Sequence, residues 1–152
     1  MLQPDVRMLH RMVLAARSKI DTGPGALNGA FGSVLASCMR TSVAEGVTGG
    51  MVVEAGHFLE VLEGGDEALC AYHDRAANDD RVDGLQVLEF VPVLRREYAT
   101  WAVAVSKPGV TQPDLMVAIN EKRAGPFAVS QHVRRVLKTG VLAETPPLCV
   151  AA

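Results

Sequence analysis

Apolar and polar residues follow two periods along this chain, and the switches between them mark its elements. Met8 to Ala16 is rich in Val, Leu and Met and reads as a first strand, with Met12 and Leu14 on one face and Arg11 and Val13 on the other. Asp21-Thr22-Gly23-Pro24-Gly25 breaks it. Leu27, Phe31, Val34, Leu35 and Cys38 then recur at helical spacing and predict a helix from about Leu27 to about Arg40, weakened by Gly29 and Gly32. Gly46 to Val53 and His57 to Glu63 predict a hairpin turning at Glu54-Ala55-Gly56. Asp66 and Glu67 open a second helix, with Leu69, Tyr72 and Ala76 on its apolar face and an end near Asp80. Leu85 to Val91 and Tyr98 to Val105 supply two more strands across Pro92 and the charged Arg95-Arg96-Glu97.

The order βαββαββ predicts an α+β fold of ferredoxin-like type, an open sheet with two helices on one face and right-handed crossovers. Two amphipathic segments follow Lys107-Pro108-Gly109, Pro113 to Glu121 and Phe127 to Lys138, before a Pro-rich tail. They are expected to cap the sheet's other face. The division is therefore residues 1–107 for the sheet domain and 108–152 for a C-terminal helical extension.

One position breaks the apolar pattern. Phe58, Glu60 and Leu62 share a face of their strand, and Leu59 and Val61 make the opposite face apolar as well. A carboxyl group at Glu60 is paired with a cation such as Arg75, protonated and donating to a ligand, or partly exposed in an emptied pocket.

The chain has 152 residues, enough for one domain with a real core, and its 49% hydrophobic and 21% charged content is that of a globular protein. A formal charge of −2, with no Lys/Arg cluster interleaved with aromatics, argues against nucleic acid as a partner. No apolar run approaches the roughly 18 residues that span a bilayer, and Arg7, Arg11 and Arg17 interrupt any leader-like segment, so a cytoplasmic protein without membrane contact is expected. Cys38, Cys70 and Cys149 are widely spaced and odd in number, which fits reduced thiols, the first two as small buried hydrophobes. His10, His57, His73 and His132 are scattered, and neither a metal-ligand cluster nor a set of nucleophile, base and orienting group can be assembled, so catalysis is not expected.

Arg11-Met12-Val13-Leu14, Gly46-Val47-Thr48-Gly49, the run Gly56-x-Phe58-Leu59-Glu60-x-Leu62-Glu63-Gly64 and Tyr98-x-x-Trp101 together resemble the BLUF family of blue-light sensors that use FAD. The resemblance covers residues 8 to 106. It implies an FAD whose isoalloxazine ring lies between the two helices, beside a strand-borne Tyr that passes an electron and a proton to the flavin in light and a Gln whose side chain rearranges its hydrogen bonds. Carried onto this chain, the Tyr falls on Leu14, the Gln on Glu60 and the helix-end Asn on Ser42. Arg75 and Asp79 stand where related domains place an Arg or His and an Asp beside the ring, Trp101 is kept, and the following Met position is Val103. An Arg-His pair found after the second helix in the family is here Arg81-Val82.

Leu14 offers no phenol and Glu60 no amide. The expectation is a BLUF-like sensory domain that has lost the standard photocycle and signals through protein contacts. The alternative is a flavin photoreceptor of altered chemistry, with Trp101 as donor and protonated Glu60 as relay. A third reading is a small enzyme on the same sheet. A regulatory protein is the expected partner, and the apolar faces of the C-terminal helices also suit a second copy of the chain.

Overall fold

A computed structural model describes residues 8–23 and 29–148. Its elements are β1 (Leu9–Ser18), α1 (Ala30–Glu45), β2 (Thr48–Glu54), β3 (His57–Gly65), α2 (Asp66–Ala77), β4 (Val82–Pro92), β5 (Trp101–Val105), α3 (Pro113–Asn120), α4 (Pro126–Lys138) and a two-residue β6 (Ala143–Glu144). The strands form one sheet in the order β4-β1-β3-β2-β5-β6. β1 runs antiparallel to both β3 and β4, β2 is antiparallel to β3, and β5 lies parallel to β2. This is the ferredoxin-like α+β arrangement that the element order predicts, widened at the β2 edge by β5 and β6.

The alternation along the strands sorts two cores. Met12, Leu14, Met51, Phe58, Leu62, Trp101 and Val103 pack under α1 and α2, against Phe31, Leu35, Leu69 and Tyr72. Val13, Ala15, Val52, Leu59, Val61 and Ala104 point the other way and are covered by α3 and α4. On α4 the buried residues Val129, His132, Val133 and Val136 keep one helical stripe, so the C-terminal helices cap the second face of the sheet. Both faces of the central strands are therefore dry, which is why β2 is buried along its whole length.

A buried acid fixes that cap. Glu54, at the end of β2, accepts hydrogen bonds from Ser106 Oγ (2.5 Å), the Gln112 amide (2.7 Å) and His132 Nε2 (2.7 Å). Burial works against the carboxylate, but the three donors overcome it and hold its pKa below the ordinary value. The β2–β3 hairpin closes on two residues, Ala55 and Gly56, both at positive φ (48° and 74°), the twist that a tight hairpin needs.

Several boundaries differ from those expected. α1 continues to Glu45, five residues past Arg40, and ends at Gly46 in the left-handed region (φ 69°); the expected start at Leu27 lies outside the described residues. α2 stops at Ala77, short of Asp80, because Asn78 caps it with its side-chain amide on Asp74 O (2.8 Å). Cys70 is exposed on α2, whereas a buried hydrophobe was expected there; Leu69 and Tyr72 take the core-facing positions on either side of it. Cys149 lies outside the described residues.

Candidate functional site

The register of the sheet places Glu60 at the centre of the α1/α2 face. Its cross-strand neighbours are Leu14 on β1 and Met51 on β2, both apolar. Its carboxylate is 6% exposed and accepts a short hydrogen bond from the Tyr72 hydroxyl, which reaches down from α2. Tyr72 is its hydrogen-bond partner among the described side chains. Burial pushes the Glu60 carboxyl up to about 7, with the Tyr72 bond opposing the rise. Burial and the neighbouring Glu60 charge hold the phenol of Tyr72 well above its ordinary range. The Cys38 thiol, on the lining of the same cavity, is pushed up to about 12 by burial and by Glu60.

These groups line a cavity of about 70 Å³ between α1 and α2. Its walls are Ala16, Val34, Met51, Phe58, Val82 and Leu85, and it runs outward to the half-exposed Arg75 and Arg81.

The polar side chains at the outer end are already matched. Arg75 donates through both guanidinium nitrogens to Glu45, at 3.0 and 3.2 Å, strapping α2 to the last residue of α1. Its guanidinium also lies over the Tyr72 ring, 5.9 Å from the centroid. The expected Glu60–Arg75 ion pair is therefore not formed; Glu45, half-exposed, costs less to pair than a carboxylate at the bottom of an apolar cavity. Arg75 and Asp79 do not share a helix face either, since the helix has ended. Asp79 turns to take a fork from Arg81, with Nε at 2.8 Å, Nη2 at 2.8 Å and the backbone amide at 2.9 Å. The Arg81 fork holds the Asp79 pKa below its ordinary value.

Of the six residues singled out from sequence, Glu60, Arg75 and Asp79 meet at the cavity, while Leu14, Ser42 and Trp101 do not line it. Leu14 (1% exposed) and Trp101 (0%) are packed in the core beneath the helices. Ser42 is buried in the last turns of α1. Ser42 Oγ and Trp101 Nε1 are buried with no hydrogen-bond partner among the described residues.

Sequence reasoning missed two groups. In the sequence Tyr72 is one member of an apolar helix stripe, yet a buried phenol needs a partner, and the acid on the facing strand is the signal. The second group explains the motifs. Glu63 is fully buried and takes the backbone amides of Glu97 (2.9 and 3.0 Å) and Tyr98 (2.9 Å). Arg96 in the same loop donates to Thr48 Oγ1 (2.8 Å), Glu63 O (3.0 Å) and Gly46 O (2.9 Å). Gly46, Thr48 and Glu63 thus converge on one loop, the one that delivers Trp101 to the core. Gly49 completes the knot, since a Cβ on it would stand 1.9 Å from Val61 O.

The family model for sensors of blue light using FAD, BLUF, matches residues 14–104. The chain belongs to the BLUF family. Solved structures agree on the fold. The photo-activated state of BlsA superposes with a TM-score of 0.64 at 13% identity, covering 91% of this chain and 99% of that one. The dark state of BlrB, a BLUF protein, gives 0.63 at 17%, covering 88% and 97%. A bacterial light-regulated adenylyl cyclase gives 0.56 at 17%, covering 87% of this chain and 36% of that larger one. No curated protein sequence matches the chain.

The residues present do not fit the flavin that the family name implies. A cavity of about 70 Å³ is roughly half the ~150 Å³ that takes up a single benzene ring, and isoalloxazine has three fused rings. At the inner end of that cavity the Glu60 carboxyl is bonded to Tyr72, which joins β3 to α2.

Proposed function

We propose that this BLUF chain is a cytoplasmic sensory module that has lost the standard photocycle and passes its signal through protein contacts, with residues 108–152 as the helical extension that carries them. The observation behind this reading is the Tyr72–Glu60 bond, which joins α2 to β3 where the family's ring would lie. Leu14 removes the strand-borne phenol from the same place, and its burial among the core residues leaves it only a packing role. The BLUF relatives fused to an effector, such as the light-regulated cyclase, support an output to a protein partner rather than chemistry in the domain itself. The test is the near-ultraviolet and visible absorption of the purified protein, before and after incubation with excess FAD and desalting, in darkness and under blue light. A colourless protein is expected. A retained flavin band with a reversible red shift under blue light would overturn the reading.

A flavin photoreceptor of altered chemistry is the second reading, and the unpartnered Ser42 Oγ and Trp101 Nε1 favour it, as two polar atoms in the core that a bound group would satisfy. It requires the helices to part, and it predicts a yellow protein whose light response disappears in Trp101→Phe.

A further inference from the structure

The surroundings of Glu60 admit a neutral carboxyl and resist a charged one. Toward β1 and β2 it faces Leu14 and Met51. From α1 it faces Cys38, held as a neutral thiol, and from α2 Tyr72, held as a neutral phenol. The charged groups lining the same cavity are Arg75, Asp79 and Arg81. Arg75 is engaged by Glu45, and Asp79 and Arg81 engage each other. Loss of the Glu60 proton would therefore put a charge at the apolar inner end of the cavity with one hydrogen bond and, among the described residues lining it, no cation that is not already paired. Such a charge is relieved by water or by movement of the wall, and the wall that holds it is α2, joined to the sheet here through Tyr72.

We propose that the Glu60–Tyr72 pair is a proton-operated clasp: with Glu60 neutral, α2 stays down on the sheet, and with Glu60 ionised, the cost of the buried charge outweighs the strengthened Tyr72 bond and drives α2 open. This rests on the reading of the chain as a BLUF module without the standard photocycle, and it supplies that module with an input, the proton, acting at the family's own sensing position. Only a proton moves, from the Glu60 carboxyl to solvent.

The clasp is read by hydrogen exchange of the α2 amides in flavin-free protein at about pH 5 and about pH 8, corrected for the intrinsic pH dependence of amide exchange. The carboxyl sits near 7 in the closed form and near 4.5 where solvated, so full release raises α2 opening by up to about two and a half powers of ten, or ~300-fold. At least a tenfold rise, about one pKa unit of coupling, is expected in α2 with little change in α4. Glu60→Gln keeps an acceptor for Tyr72 and cannot ionise, so its α2 exchange should not respond to pH. Tyr72→Phe removes the bond that favours the carboxylate, so its transition should move to higher pH. A flat α2 response in the wild-type protein, or an equal response in Glu60→Gln, would overturn the clasp. Absorption of the same sample after FAD incubation separates the two ideas. A light-responsive flavin band sinks the underlying reading, whereas a colourless protein with flat α2 exchange sinks the clasp alone.

Discussion

Replacing Glu60 by Gln should make this protein more stable at neutral and alkaline pH and leave it unchanged in acid. The direction follows from where the proton sits. In the unfolded chain the carboxyl has its ordinary value of 4.5; in the folded chain burial raises it to about 7. Below the lower value both states hold the proton, and ionisation does not favour either. Between the two the unfolded chain has lost its proton while the folded chain keeps it, so stability falls as pH rises, by about 1.36 kcal/mol per unit. Above the upper value both are ionised and the loss is constant. A shift from 4.5 to about 7 thus costs about 3 kcal/mol. Gln at this position is neutral throughout and can still accept from Tyr72, so the difference between variant and wild type isolates the Glu60 term from every other titrating group. Urea unfolding at closely spaced pH values should give curves that coincide in acid and separate to about 3 kcal/mol above neutrality, equivalent to roughly 6–12 °C in melting temperature for a chain of this size. Parallel curves across the range would mean that Glu60 ionises freely in the folded protein, and the description of it as a buried neutral acid would be wrong.

Other substitutions probe the parts around it. Ser42→Ala should be neutral or stabilising by about 1 kcal/mol in thermal unfolding, because Ser42 Oγ is buried without a partner; a clear loss would reveal a bonded group there. Glu63→Ala strips three acceptor contacts from the Glu97 and Tyr98 amides and should cost about 3 kcal/mol, with quenching of Trp101 fluorescence changed as its loop loosens. Gly49→Ala, at φ 136° with 1.9 Å between the new Cβ and Val61 O, should lower stability by at least about 3 kcal/mol or abolish soluble expression; a native-like melting curve would contradict the close β2–β3 approach. Glu54→Gln should remove an acid-sensitive contribution, since a carboxylate with a depressed pKa stabilises above its ordinary value and loses that contribution as pH falls, and the variant's stability in urea unfolding should vary less with pH on the acid side.

The periods of two and of 3.6 made the sheet, its helices and the C-terminal cap legible, because burial on both faces leaves few other ways to place Val13 against Leu14 or Val129 against Val133. Residue pairing was harder to read. Spacing put Arg75 and Asp79 on one helix face, but one asparagine, Asn78, ends the helix between them and sends each to a different partner. Glu60 was visible as an anomaly in an apolar strand, yet its partner was hidden inside a stripe of core residues, where Tyr72 looks like any other hydrophobe until the distance is known. Glu63 and Arg96 were hidden for a different reason: their bonds go mostly to backbone atoms, which leave no mark on the identity of the partner residue. The scaffold knot at Gly46, Thr48 and Glu63 and the polar centre at Glu60 are physically separate devices on the same strand pair. The first is built from backbone acceptors and buried donors and the second from one acid and one phenol, so substitution at Glu60 or Tyr72 can alter the polar centre while the knot keeps β2 and β3 in register.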